Sequence, residues 1–165
     1  MTGMSDSVLS VVPTDPWWQP GPDDGRAAGD LVASLTLVQG DTGWCEVEWL
    51  EGVRLVDCGE NLERIGCPQC GRELTADWFR DELDQLFAAD GSCTSLDVVM
   101  PCCATATTFN DLDYDWPMAF ASFEIAVWNG SRPLEPGSNG LLDPEATAKV
   151  EQVLGHAIRQ VRAHI

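Results

Sequence analysis

The chain has little with which to do acid–base or nucleophilic chemistry. It carries one lysine (Lys149), two histidines (His156 and His164) and one tyrosine in 165 residues. A cysteine nucleophile ordinarily needs a histidine base, and neither histidine sits in a recognisable partner motif. There is no GxSxG elbow, no P-loop and no GxGxxG turn. These absences weigh against an enzyme. No segment approaches the ~20 apolar residues of a membrane span. Met1 to Val12 has neither the basic start nor the long apolar stretch of a signal peptide. The expected compartment is the reducing cytoplasm, where thiols stay free.

Positive charge is also scarce. Nine Lys and Arg stand against 27 Asp and Glu, giving a formal charge of −18. That excess is larger than solubility requires. Direct contact with nucleic acid or an anionic membrane is disfavoured, since both carry the same sign. A basic protein is the partner such a surface admits. The lysine-poor composition, rich in Ala, Asp and Gly, is that expected of a bacterium with a GC-rich genome.

Cysteine, by contrast, is present seven times. Cys67-Pro68-Gln69-Cys70-Gly71 is a CPxCG turn. Pro68 fixes φ and Gly71 permits φ > 0, so two thiolates can wrap one ion at little strain. Thirty-three positions on, Met100-Pro101-Cys102-Cys103-Ala104 repeats the shape, with Met100 in place of the first cysteine. Structural zinc takes four such ligands in a tetrahedron. The expected set is Cys67, Cys70, Cys103 and, as the fourth, Cys102. If only Cys103 binds from the second turn, Cys58, Cys93 or Cys45, or one of the histidines His156 and His164, is the alternative fourth ligand. Cys67 and Cys70 could instead form a redox pair, but no helix pattern starts at either residue. An odd cysteine count in a chain of this size does not favour a disulfide framework.

The two turns resemble the knuckles of zinc ribbons, over residues 67–71 and 100–104 only. The resemblance implies a structural metal and carries no activity. Ribbon knuckles lie on adjacent hairpins. Here a helix pattern intervenes, so the resemblance implies a split version of that site.

Residues 1–28 read as a flexible arm, since Pro13, Pro16, Pro20 and Pro22 interrupt regular structure. Within it, Trp17 and Trp18 are either packed on the domain or an anchor for a partner. Residues 29–165 read as one α+β domain. Leu31–Val38 is a short apolar element, helix or strand unresolved. Trp44–Leu50 alternates as a strand, with Cys45, Val47 and Trp49 on one face and Glu46 and Glu48 on the other. Val53–Val56 is expected to return as its hairpin partner. Thr75–Ala89 is a helix with Thr75 as cap and Gly91 as stop. Ser95–Met100, Thr105–Asp111 and Phe120–Trp128 are strands, and 129–140 is a Gly/Pro-rich loop. Asp143-Pro144-Glu145 opens a last helix, whose stripe from Ala146 through Leu154 to Val161 places both histidines on it. Rotated by roughly 80° across eight residues, His156 and His164 cannot easily share a small ligand. The sum is a mostly antiparallel sheet with two helices packed on it and a split zinc-knuckle site.

The function this implies is a non-catalytic, zinc-stabilised acidic protein that binds a basic partner, either an immunity or antitoxin-like protein or an adaptor subunit. Two other readings stand beside it. One is a small metal-dependent hydrolase using Asp111, Asp113 and Asp115, although the calcium-loop pattern fails at Trp116 and Ser122. The other is a thiol redox protein using Cys67 and Cys70.

Overall fold

In a computed structural model, residues 6–38, 40, 42–57, 62–87, 91–130 and 141–164 are described. The chain begins with β1 (Ser7–Pro13), α1 (Pro22–Thr36) and β2 (Trp44–Val56). A long excursion follows, carrying β3 (Ile65–Gly66), β4 (Glu73–Leu74), α2 (Ala76–Leu86), β5 (Asp97–Val99), β6 (Ala106–Thr108) and β7 (Asp113–Tyr114). The chain then returns as β8 (Ala119–Trp128), α3 (Pro144–Leu154) and β9 (Ile158–His164).

The main sheet has the order β2-β8-β1-β9, antiparallel throughout. With α1 and α3 sharing one apolar cluster against its strands, this is the connectivity of a ferredoxin-like β-α-β-β-α-β unit. The turn that would join its second and third strands is replaced by residues 57–118. The architecture is α+β and mostly antiparallel, with three α-helices among the described residues rather than the two expected.

One face of the sheet lies under the helices. Leu9, Val11, Phe123, Ile125 and Val127 meet Ala28 and Val32 of α1 and Val150 and Leu154 of α3. Glycine lets α1 come close. A Cβ on Gly25 would sit 2.3 Å from the Trp49 ring, and one on Gly29 2.4 Å from Val47. Those glycines also weaken the helical signal, which is why only the end of α1 stood out in the sequence.

Five expectations are corrected. The first concerns the arm. Residues 1–5 lie outside the described residues, but Ser7–Pro13 is an inner strand, buried at nearly every position. Pro13 ends it and Pro22 sits at the start of α1, both places where proline is tolerated. The link between them is fastened. Thr14 N–H donates to Ala157 O at 3.0 Å, Ser122 Oγ to Pro16 O at 2.9 Å, and Trp49 Nε1 to Pro20 O at 3.0 Å.

The second concerns Val53–Val56, which is no hairpin partner but the continuation of β2. The register against β8 shifts between Trp49 and Arg54, a bulge of the kind that bends an edge strand. Gln19 Nε2 spans it, donating to Leu50 O at 2.9 Å and Ser122 O at 2.7 Å. Third, the last helix stops at Gly155, which adopts φ +84° and donates to Glu151 O. Ile158 to His164 then runs as a strand, so His156 lies in a turn and His164 at the end of β9. Fourth, Leu31–Val38 resolves as the end of α1 rather than an element of its own.

Fifth, Gly91 is not the stop of α2, which ends at Leu86 with Phe87 as its cap, donating to Leu83 O. The two N-cap expectations stand. Thr75 accepts from Trp78 N, and Asp143 from Ala146 N. The loop at 131–140 lies outside the described residues. Among those described, no helix is long and apolar enough to cross a membrane.

Candidate metal centre

Each cysteine turn closes a hairpin. β3 pairs with β4 around the first, β5 with β6 around the second. The backbones match bond for bond. Cys67 N–H donates to Arg72 O at 2.8 Å and Gly71 N–H to Cys67 O at 3.0 Å. In the second turn, Met100 N–H donates to Thr105 O at 2.9 Å and Ala104 N–H to Met100 O at 2.9 Å. The fifth residue is left-handed in both, with φ +75° at Gly71 and +58° at Ala104. The two knuckles are therefore one structure written with two sequences.

The difference lies in which positions carry sulfur. Cys67 and Met100, at the equivalent first position, are each 1% exposed and belong to the same apolar cluster. In the second knuckle that inward position is given to packing. Cys102, at the position of Gln69, supplies the thiol instead. The sulfurs of Cys67, Cys70, Cys102 and Cys103 all lie within 4.8 Å of one another. Cys70 and Cys102 are 3.2 Å apart, Cys67 and Cys103 3.7 Å. Four sulfurs at Zn–S distance form a tetrahedron with edges of about 3.8 Å, so the set has the dimensions of a four-thiolate metal site. Cys67 is buried, Cys102 half-buried, and Cys70 and Cys103 face solvent.

Cys67 and Cys102 are pushed in opposite directions. Burial opposes charge on Cys67. The backbone N–H groups of Cys70 and Gln69 and the thiols of Cys102 and Cys70 outweigh it, bringing Cys67 from 9.0 to about 6. Cys102 is pushed up to about 12, first by its hydrogen bond with Cys70, then by burial and by Cys67 and Cys103. A central cation removes this conflict, because it stabilises every thiolate at once.

The alternative ligands stand apart. Cys45, Cys93 and His156 are not in the cluster. Cys45 donates towards Gly29 O, and its thiol is raised to about 11 by burial and then by Asp30 and Glu46. Cys93 donates to Ser95 O, and burial raises it. Cys58 and the side chain of His164 lie outside the described residues. The three aspartates serve different partners. Asp111 accepts from Thr108 Oγ1, Asp115 accepts from Glu63 N–H, and Asp113 lies beside Gly66. Among the described residues they form no metal-holding group.

The tryptophan pair separates. Trp18 stacks on His156 at 4.4 Å and packs against the helix-side core. Trp17 is 48% exposed, on the rim of a cleft of about 440 Å³ that also includes Asp15, Asp97 and Asp111.

Three groups escaped the sequence reading. Buried Asn110 ties the excursion to the sheet: its Oδ1 accepts from Phe120 N–H at 2.9 Å, its Nδ2 donates to Thr14 O at 3.3 Å, and its carbonyl accepts from Arg159 at 2.7 Å. Nothing local marks such an asparagine. Trp44 stacks on Trp128 across the strand pair, and Glu48 faces Glu124. The alternation of β2 had placed Glu46 and Glu48 outward, but not what stood opposite.

Comparison with protein-family models, with curated proteins and with solved structures returned no match.

Proposed function

We propose that this is a non-catalytic, zinc-stabilised acidic protein that binds a basic protein partner, as an immunity or antitoxin-like protein or as an adaptor subunit. The observation that carries the metal half is the convergence of four thiols from two identically built knuckles. Zinc suits the set because four thiolates at these spacings match its tetrahedral preference. The ion clamps the excursion, whose paired strands are only two or three residues long. The partner half rests on the charge of −18. Strong acidity steers a basic protein into fast encounter and turns nucleic acid away. Of the two tryptophans, Trp17 has the exposure an anchor needs.

Native mass spectrometry of protein purified without added metal tests the first half. One zinc per chain is expected. A metal-free chain two hydrogens light would replace the zinc reading with a disulfide and a thiol redox protein. Titration calorimetry against basic proteins encoded beside its gene tests the second half. Submicromolar binding that weakens with salt is expected. No binding at low or physiological salt would overturn the partner reading and leave the metal reading standing.

A further inference from the structure

Resting on that reading of a basic partner, we infer where the partner seats. An arginine-bearing segment docks on the sheet strip formed by Trp44, Glu46 and Glu48 of β2 with Glu124 and Trp128 of β8.

The register sets the strip. Trp44 pairs with Trp128, Glu46 with Ala126 and Glu48 with Glu124. Their neighbours Cys45, Val47 and Trp49 turn to the other face, under the helices. Val8 and Ser10 of β1 and Ala163 of β9 extend the strip sideways. The excursion packs over the sheet at Val12 and Val161, but the cluster of Val8, Ala126, Ala163 and Trp128 holds only sheet residues among those described. Trp44 is 44% exposed and lies on Trp128 at 5.5 Å, nearly parallel at 5°.

The free protein bears two costs here that the fold relieves only in part: Ser10 Oγ donates to Glu124 and Trp44 Nε1 to Glu46. Glu48 and Glu124 are direct cross-strand neighbours of like charge, an arrangement that destabilises a sheet. Among the described residues no salt bridge reaches Glu46, Glu48 or Glu124. Trp128 Nε1 is buried beneath the stack with no acceptor among the described residues, where buried donors are ordinarily paired. Rules broken locally mark the places where a fold serves something else.

The chemistry selects the occupant. A guanidinium is planar, stacks on an indole face and pairs a carboxylate through two N–H groups. The strip offers an exposed indole beside three carboxylates. A second copy is excluded as occupant, because a two-fold contact would set the same glutamates against themselves. A metal ion is a poor fit, since these glutamates form no metal-holding group. A carbonyl from the docked backbone would take the Trp128 N–H once Trp44 swings aside.

The probe is a nona-arginine peptide titrated into the zinc-loaded full chain at physiological salt, read by calorimetry and amide NMR shifts. Shifts are expected at residues 44–48 and 124–128. Glu46→Gln with Glu48→Gln should weaken binding at least tenfold, and Trp44→Ala should weaken it without any change of charge. Asp81→Asn with Asp84→Asn, two exposed acids of α2, removes the same charge and should cost less than twofold. Equal losses from the two charge pairs, or shifts confined elsewhere, would overturn the strip while leaving the basic-partner reading intact. No binding of the peptide to the unaltered chain would overturn both. The Glu46/Glu48 variant should melt no lower than the parent, which separates lost docking from lost folding.

Discussion

The sheet-and-helix unit and the excursion it carries are held together by different means. The unit closes on itself: long antiparallel strands bury Phe123, Ile125 and Val127 against two helices. The excursion has paired strands of two or three residues, too short for a stable sheet alone. Its cohesion comes from an aromatic group, with Phe109 within about 6 Å of Phe79, Trp78 and Phe120, and, on the proposed reading, from a metal held by the four thiols of its knuckles. Its core runs without a break into the sheet through Phe120, Val12 and Val161. Removing the ligation should therefore damage one region before the other.

The largest effect should come from the metal. Chelation, or Cys70→Ser, is expected to strip hydrogen-exchange protection from residues 62–118 while β1, β8, α1 and α3 keep theirs. The scale is several kcal/mol, since structural zinc contributes about 10–16 kcal/mol of apparent binding free energy in zinc-finger peptides. Simultaneous loss everywhere would mean the two regions are one cooperative unit. Unchanged exchange and melting would remove the structural role of the cysteines altogether.

The seam between the regions gives the next effect. Asn110→Ala would orphan the buried Phe120 N–H and release Thr14 O. A loss of about 1–3 kcal/mol is expected, since buried groups left unpaired cost that much. A loss below about 0.5 kcal/mol, outside the typical range for an unpaired buried group, would show that the seam rests on apolar contact alone.

How much of this was legible depended on whether the signal was local. CPxCG and xPCC are local, and the sequence repeat corresponds to a repeat of backbone hydrogen bonds. Thr75, Asp143 and the strand at 120–128 were readable for the same reason. The excursion's marker residues therefore showed more clearly than the unit that carries them. Ser7–Val12 is an apolar run buried on both faces, without alternation to announce a strand. Gly25 and Gly29 look like helix breakers until Trp49 and Val47 are seen against them. The stripe from Ala146 to Val161 fits a helical period, but Gly155 is the stop within it, and Ile158 and Val161 belong to β9. Asn110 and the Glu48–Glu124 pair depend on partners far along the chain.

A smaller, pH-dependent effect belongs to the unit. Burial holds the Glu124 carboxyl above the ordinary carboxylate range. The Ser10 hydroxyl, which donates to it, pulls the other way, and the charges of Glu48 and Glu46 push it further up. On β9, Arg159 shares that face, but its guanidinium is engaged by Asn110 O. The folded chain thus keeps this proton to higher pH than the unfolded chain does. The Glu124 contribution to stability is full below the ordinary carboxylate range and falls as pH rises from there through the raised value. Glu124→Gln removes that fall. The stability difference, variant minus parent, should grow with pH across this window in chemical denaturation. Taking the difference cancels the acid release of metal common to both chains. A difference flat with pH would mean Glu124 titrates like an exposed carboxylate.

The smallest effect compares the two knuckles with each other. Gly71 and Ala104 occupy equivalent left-handed positions. An L-residue there costs about 1–2 kcal/mol, while glycine costs about 0.5–1 kcal/mol in chain entropy. Ala104→Gly should therefore gain up to about 1 kcal/mol, roughly 2–4 °C in melting temperature for a chain of this size. Gly71→Ala should lose a similar amount. Neither change touches a sulfur, and a Cβ on Gly71 would meet nothing within 4 Å, so the difference isolates backbone strain from ligation. Opposite signs of similar size are expected for the two substitutions in the zinc-loaded protein. If both destabilise, the second turn holds its shape through the Ala104 side chain, and the bond-for-bond match of the two knuckles does not extend to their energetics.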